Sequence, residues 1–181
     1  MTKIKQSKLS EYKPAFKFLG IFFGVIAVYY LIIMFSGNNF FDPYINFSAW
    51  LSSKFLSIFY TDIISNGSLI GSSKFVVVLS FGCEGTEPLV IFLAGVIAFP
   101  IILKYKIIGL IIGFIFIYFL NILRIMLLFF IGNISPSTFE MFHSEIFPIL
   151  FIILALIVWL YWIKYSQNQI KKDFSSLATK Q

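Results

Sequence analysis

Long uninterrupted apolar runs dominate this sequence and limit the folds that it can adopt. Four such runs cover about residues 16–35, 86–103, 107–131 and 145–163. A bilayer core about 30 Å thick takes roughly 20 helical residues to cross, which is close to the length of these runs. With 59% hydrophobic and only 12% charged residues, the chain lies outside the composition of soluble domains. The sequence therefore predicts one α-helical integral-membrane domain over 1–181 with about four transmembrane helices.

The same composition excludes several classes of protein. The 24 Phe residues and a mean hydropathy of +0.93 are incompatible with a disordered chain, a collagen, a coiled coil or a soluble enzyme. A single Cys forms no internal disulfide, which excludes a disulfide scaffold. The run at 16–35 is too long for a removed signal peptide and lacks a small-residue cleavage site, so we expect an anchor.

The Lys residues between the runs predict the orientation of the chain. One side holds eleven Lys and two acids, Glu11 and Asp173, whereas the other holds two Lys and six acids. The eleven are Lys3, Lys5, Lys8, Lys13, Lys17, Lys104, Lys106, Lys164, Lys171, Lys172 and Lys180. Cytoplasmic loops carry such an excess, so both termini, the turn at 104–106 and a tail at 164–181, poorly ordered from residue 167, are predicted to be cytoplasmic. The positive charge then reflects orientation and contact with anionic membrane lipids, and no nucleic acid is expected as a partner.

Residues 36–85 form the predicted exported segment, and their pattern indicates ordered structure. Over 44–60 the large apolar residues share one helical face opposite polar residues, which predicts an amphipathic helix in the outer membrane interface. That face consists of Tyr44, Phe47, Leu51, Phe55 and Ile58. The turn-like Asn66-Gly67 and the Val-rich residues 75–81 predict a small β-hairpin before the Cys motif.

The only Cys, Arg and His of the chain fall at one predicted depth. Counted along straight helices at about 1.5 Å per residue from the cytoplasmic ends of the runs, Cys83, Arg124 and His143 lie about 26 to 30 Å up. That level is the outer edge of the bilayer. The count predicts one shared layer, and it does not by itself predict mutual contact.

Cys83 has a structural and a functional interpretation. A lone Cys is most often a small buried hydrophobe. Cys83, however, follows Gly82 on the exported side and precedes a helix that Thr86 is expected to cap and Pro88 to open. Amide groups at a helix start stabilise a thiolate, which is the nucleophilic form.

Arg124 and His143 each have a structural and a functional interpretation as well. An Arg facing lipid costs several kcal/mol, so Arg124 should face the bundle interior as a functional charge. The structural alternative is that it snorkels to the outer interface or pairs with Glu84 or Glu87. Asn121, one turn below, orients the guanidinium or joins two helices. His143 is either an interfacial histidine or a general acid and base. Glu140 and Glu145 are interpreted as solvated acids, and no metal or cofactor motif is present.

Three short motifs in order resemble the exosortase/archaeosortase family of membrane-embedded cysteine transpeptidases. They are Gly82-Cys83-Glu84-Gly85 after the hairpin, Asn121-Ile122-Leu123-Arg124-Ile125 late in the third run, and Phe142-His143 ahead of the last run. The resemblance covers roughly residues 48–162. The compact length and the turn at Ala98-Phe99-Pro100 are most similar to the short form called exosortase H. Glu84 departs from the Ser, Ala or Asn that many members carry there, and the span count is below that of eight-span members.

The resemblance implies a site, a substrate and a location. Cys83 would be the nucleophile that forms a thioester, Arg124 and His143 its catalytic partners, and the remaining motif residues would support them. Those supporting residues are Asn121, Gly82, Gly85, Glu84 and Glu87. The implied substrates are exported proteins that end in a short motif, a hydrophobic helix and a basic tail, processed at the outer face of the cytoplasmic membrane. The acceptor, water or an amine, stays open.

A non-enzymatic reading stays open beside this one. The chain would then be a transporter subunit or an assembly factor for envelope polysaccharide. Arg124 would bind an anionic ligand or hold helices together, and Cys83 would be replaceable.

Overall fold

The computed structural model describes residues 2–80 and 85–178, and this part of the chain is mostly helical. The helices are α1 (Thr2–Ser36), α2 (Asp42–Leu56), α3 (Thr86–Ala98), α4 (Leu103–Ile134), α5 (Pro136–Met141) and α6 (Phe147–Ala178). A 3₁₀ helix (Asn38–Phe41) precedes α2, and a π-helical turn (Phe142–Ile146) joins α5 to α6. The strands are β1 (Ile64–Asn66), β2 (Leu69–Gly71) and β3 (Val76–Val78). The prediction of an α-helical membrane protein with a small sheet is confirmed.

Three helical stretches of the described chain are long and apolar enough to cross a membrane. They cover Tyr12–Ser36, Leu103–Ile134 and Pro136–Asp173, and the last of them includes α5, the π-helical turn and most of α6. Many of their large apolar side chains are exposed, as a lipid-facing surface requires. The chain is therefore a multi-pass membrane protein.

The second apolar run folds into a helix shorter than predicted. The 13 residues of α3 rise about 20 Å, about 10 Å less than a bilayer core. The helix stops at Ala98 because Pro100 disfavours a helical conformation at Phe99, whose backbone is extended. The Lys106 ammonium donates to the Ile97 carbonyl at 2.6 Å and so satisfies one carbonyl at this helix end. The turn thus lies at 99–102, whereas the predicted turn at 104–106 forms the start of α4.

α3 is the central helix of the bundle and packs against α1, α4 and α6. Its inner side chains Leu89, Phe92 and Val96 form one core with residues of α4 and α6. Two polar contacts fix the neighbours. The hydroxyls of Tyr29 on α1 and Thr86 lie 2.7 Å apart, and the indole N–H of Trp162 on α6 donates to the Tyr105 carbonyl of α4 at 3.0 Å.

The helix α2 turns a mixed face of apolar residues and small serines toward the protein, and Ile45 and Leu56 on this face belong to the core. Ser48, Ala49 and Ser52 have no exposed surface, and their small side chains let α2 approach α4 closely. The Ser48 hydroxyl bonds back to the Tyr44 carbonyl at 2.8 Å, so the buried serine is satisfied within its own helix. Phe47, Trp50 and Phe55 point outward and are 51%, 48% and 41% exposed. Of the predicted apolar face, Phe47, Phe55 and Ile58 are exposed, whereas Tyr44 and Leu51 are half-buried, so the prediction holds only in part.

The turn predicted at Asn66-Gly67 joins the first two strands of a three-stranded antiparallel sheet, and the predicted second strand at 75–81 is the third one. β1 and β2 meet at Gly67, whose φ of +57° is the left-handed conformation that tight hairpin turns require. A second turn follows, closed by the Ser72 N–H, which donates to the Phe75 carbonyl at 2.8 Å. The Val-rich segment is consequently a third strand beside β2, and β3 is an edge strand in the order β1-β2-β3.

The predicted poorly ordered tail is wrong as far as residue 178. α6 continues to Ala178 and buries Ser166 completely. The Tyr105 hydroxyl donates to the Asp173 carboxylate at 2.6 Å, which ties the end of α6 to the start of α4. The tail is therefore part of the folded helix.

Candidate active site

Asn121 and Arg124 lie on the inward face of α4. Asn121 has no exposed surface and Arg124 is 5% exposed, although both sit among long lipid-facing apolar residues. They are three positions apart in the helix, so their side chains share one face. A guanidinium is costly against lipid and is found inside helix bundles when it occurs at all. The inward placement predicted from that cost is confirmed.

Gly85 brings the chain that follows the Cys motif into direct contact with Asn121. It is the residue before α3 and has a φ of +75°, a left-handed conformation that only glycine adopts readily. A Cβ atom at this position would lie 2.7 Å from the Asn121 side-chain carbonyl. The expected cap by Thr86 is wrong, because Gly85 is the N-cap residue and the Thr86 hydroxyl contacts Tyr29 instead. Pro88 does lie in the first turn, as predicted.

Gly82, Cys83 and Glu84 lie outside the described residues. Ser80 and Gly85 are the nearest described residues on either side of the predicted nucleophile Cys83. Gly85 is two residues beyond Cys83 in the sequence and contacts Asn121.

Arg124 opens into a small cavity between α3, α4 and α6. The cavity measures about 100 Å³ and is lined by Gly85, Glu87, Pro88, Ile91, Arg124, Pro148, Phe151 and Ile152. The guanidinium carbon lies 5.6 Å from the centre of the Phe151 ring, a cation–π distance. Glu87 contributes an exposed carboxylate that accepts a hydrogen bond from the Tyr30 hydroxyl at 3.4 Å. This cavity unites three of the predicted site residues.

His143 lies on the π-helical turn ahead of α6. There the Phe147 N–H bonds to the Phe142 carbonyl, five residues back instead of four. The turn is placed where Pro148 follows, since a proline ring clashes with the carbonyl four residues earlier and a wider turn relieves that clash. π-Helical turns are often found at functional sites. The His143 ring stacks on Phe139, with centroids 5.4 Å apart and planes 4° apart.

His143 faces a second and larger space, which we call the β3 groove. It measures about 630 Å³ and is lined by residues 75–80, Ile125, Leu128, Pro136, Phe139, Glu140, His143 and Ser144. Ile125 is the residue after Arg124, so the groove and the small cavity open on either side of the same turn of α4. His143 is within electrostatic reach of Arg124 and of Glu140.

The structure thus brings the described site residues together in two linked groups. Asn121, Gly85, Arg124 and Glu87 surround the start of α3, and His143 lies beyond Arg124 on the groove. Sequence reasoning missed Phe151 and Phe139, which hold Arg124 and His143. The spacing of Phe139 four residues before His143 was a signal, because residues four apart stack on one helix face. Within residues 2–80 and 85–178, no three His, Cys, Asp or Glu side chains cluster as a metal site requires.

Comparison with known proteins gives a match to a family model. The family model described as transmembrane exosortase matches residues 13–161, which is more than half of the chain. The matched region contains both groups of site residues. Neither a curated protein nor a solved structure matches the chain.

Proposed function

Because this chain belongs to the transmembrane exosortase family, we propose that it is a membrane-embedded cysteine peptidase or transpeptidase that cleaves C-terminal sorting signals of exported proteins. Family membership supports a membrane transpeptidase-type function in general. The finer proposal adds the reacting residues and the side of the membrane. Its site is Cys83, Arg124 and His143, at the outer face of the cytoplasmic membrane with both termini in the cytoplasm.

One observation carries this proposal. The described residues on either side of Cys83 lead to the other candidates: Gly85 contacts Asn121 beside Arg124, and Ser80 lines the same groove as His143. A buried guanidinium without a function is expensive to keep in a membrane. The arrangement therefore supports a site built around the chain between Ser80 and Gly85.

In the proposed reaction, the Cys83 thiolate attacks the carbonyl carbon of the scissile peptide bond. Arg124 stabilises the developing oxyanion, a role that suits a permanent charge held by an aromatic ring in a dry setting. His143 donates a proton to the leaving amine as the carbon–nitrogen bond breaks, and a thioester remains. His143 then takes a proton from the incoming water or amine, whose attack on the thioester releases the thiolate.

The supporting residues hold the chain around the start of α3 in position. Gly85 allows the chain to pass directly over Asn121, and Asn121 fills the space below it. Glu87 is proposed to hold the start of α3 through Tyr30. Gly82 and Glu84 complete the motif around Cys83.

The deciding experiment replaces the nucleophile. Cys83→Ala and Cys83→Ser should both abolish processing and leave membrane insertion intact, because a hydroxyl is not activated in a site tuned for a thiolate. The readout is the ratio of processed to full-length substrate, normalised to the variant's amount in the membrane. As a control, an impermeant maleimide applied from outside should label wild type only, since the chain has one Cys. Normal processing by Cys83→Ala at matched abundance would transfer the protein to the non-enzymatic class.

A further inference from the structure

β3 has a free edge whose backbone groups are defined by the pairing of the sheet. Ser72 donates to Phe75 and Leu79 donates to Ser68, so Phe75, Val77 and Leu79 are the residues whose backbone groups face β2. Hydrogen-bonded and non-hydrogen-bonded pairs alternate in an antiparallel ladder. The N–H and C=O groups of Val76 and Val78 therefore point away from β2. Among the described residues, no strand pairs with this side of β3.

This edge forms one wall of the β3 groove. The opposite wall consists of Pro136, Phe139, Glu140, His143 and Ser144, and the apolar floor consists of Ile125 and Leu128. A volume of about 630 Å³ is within the range of sites that bind small molecules and short peptides. Val76 and Val78 are 52% and 58% exposed, so neither residue of the edge is buried among the described residues.

We propose that the β3 groove binds the substrate as an extended strand that adds to the free edge of β3. This inference rests on the proposed function and specifies how its substrate is recognised. The occupant is the polypeptide segment directly before the hydrophobic helix of the exported protein. The backbone groups of Val76 and Val78 pair with that segment, which passes between β3 and His143.

The chemistry of the groove favours a peptide over a lipid or a small apolar ligand. An exposed strand edge offers alternating donors and acceptors at a fixed spacing, and another extended backbone satisfies them all. The wall opposite carries the polar side chains of Glu140 and Ser144, to which an acyl chain offers no hydrogen-bonding group. The groove also lies beside the proposed chemistry, since Ser80 after β3 is three residues before Cys83 and His143 lines the same groove.

Strand addition also predicts what the substrate motif must contain. Alternate side chains of a strand point to opposite faces, so every second residue of the bound segment would face Ile125 and Leu128. Those positions should be apolar. The residues between them should tolerate substitution, and a proline whose missing N–H falls opposite Val76 or Val78 should be rejected.

Proline substitution tests the edge without disturbing the sheet. Val78→Pro removes an N–H that faces the groove and leaves the β2 ladder intact, as edge prolines do. The matched control is Ser65→Pro on the opposite edge: Ile64 and Asn66 face β2 in the register, so the Ser65 N–H points outward too. The probe is an exported reporter protein fused to the motif, hydrophobic helix and basic tail of a protein encoded beside this one.

We expect Val78→Pro to lower kcat/KM for this reporter about tenfold, and Ser65→Pro to leave it unchanged. A photoreactive residue at position 78, placed in the Cys83→Ala background to retain uncleaved reporter, should cross-link to the reporter, and one at position 65 should not. Cross-linking keeps the test valid if Val78→Pro fails to fold.

The outcomes separate the two proposals. Cleavage by the Cys83→Ala variant overturns the proposed function, whatever the edge variants do. Wild-type cleavage by Val78→Pro, or equal cross-linking from positions 65 and 78, overturns strand addition alone when Cys83→Ala is inactive.

Discussion

Gly85 and Asn121 are in such close contact that a Cβ atom on Gly85 would lie 2.7 Å from the Asn121 side chain. Gly85→Ala should therefore combine backbone strain with overpacking, at a cost of at least about 2 kcal/mol. Gly37→Ala is the matched control, because Gly37 shares the positive φ and a Cβ there meets no described atom within 4 Å. That variant should lose about 1 kcal/mol through strain alone. Thermal unfolding in detergent measures both, and equal losses would contradict the close contact.

Arg124→Lys tests whether Arg124 acts through its planar charge. An ammonium keeps the charge but loses the two-pronged donor geometry and the flat contact with Phe151. We expect normal abundance in the membrane and processing reduced about a hundredfold, comparable to loss of an oxyanion donor. Processing that falls only in proportion to abundance would assign Arg124 a structural role.

Pro148→Ala tests whether the π-helical turn positions His143. Without the proline ring, the turn can close to ordinary α-helix, which changes the direction of the His143 side chain by roughly 100°. Processing should fall while the helix becomes no less stable. Pro14→Ala is the control, since Pro14 also lies inside a helix, far from the site in sequence. Loss of processing in both variants, or in neither, would remove the turn from the mechanism.

Asp62 provides a prediction on pH outside the membrane spans. The side chain and the backbone N–H of Ser73 hydrogen-bond to its carboxylate, the latter at 2.7 Å, and they hold the Asp62 pKa below its ordinary value of 3.8. A lowered folded pKa means that this stabilisation is complete above 3.8 and is lost as the pH falls through the folded value. The carboxyl carbon of Asp62, followed by NMR in micelles, should titrate below 3.8 in wild type. In Ser73→Pro, which lacks both donors, its midpoint should return toward 3.8.

Reporter fusions test the orientation that the Lys distribution predicts. Fusions at Gln181 and between Lys104 and Lys106 should report cytoplasm, and one at Gly67 should report the exported side. Each position is fused to two reporter enzymes in turn, one active only outside the cytoplasm and one active only inside it, and the two give opposite readouts. An exported C-terminus would contradict both the orientation and the shared layer of candidate residues.

The sequence predicts features that arise from local backbone conformation or from one large free-energy cost. The turn at Gly67 is an example, because few residues besides glycine adopt its positive φ. The burial of Arg124 is another, because exposure to lipid costs several kcal/mol. Neither depends on which helices are neighbours.

Other features depend on tertiary contacts that periodicity does not contain. The third strand forms because the turn at Ser72 returns the chain to β2. The apolar pattern of the sequence fits a two-stranded hairpin equally well, so it did not predict this turn. The contact between Arg124 and Phe151 depends on the rotation of α6 relative to α4, which both apolar helices leave undetermined in their sequences. The early end of α3 was not predicted because apolar residues continue past Pro100 into α4.

The outward aromatic residues of α2 have a consequence for how a cleavage position is selected. Trp and Tyr side chains are enriched at the level of the lipid headgroups, and the exposed Trp50 stacks with Phe47 at a centroid distance of 5.7 Å. Because α2 packs against α4, such a pair seated in the membrane interface would set the height of the bilayer edge relative to His143. A substrate helix floats at a height set by its own apolar length. Under the proposed function, the peptide bond offered for cleavage would be selected by its distance from the substrate's first apolar turn, and lengthening that helix by one turn should move the cleavage position.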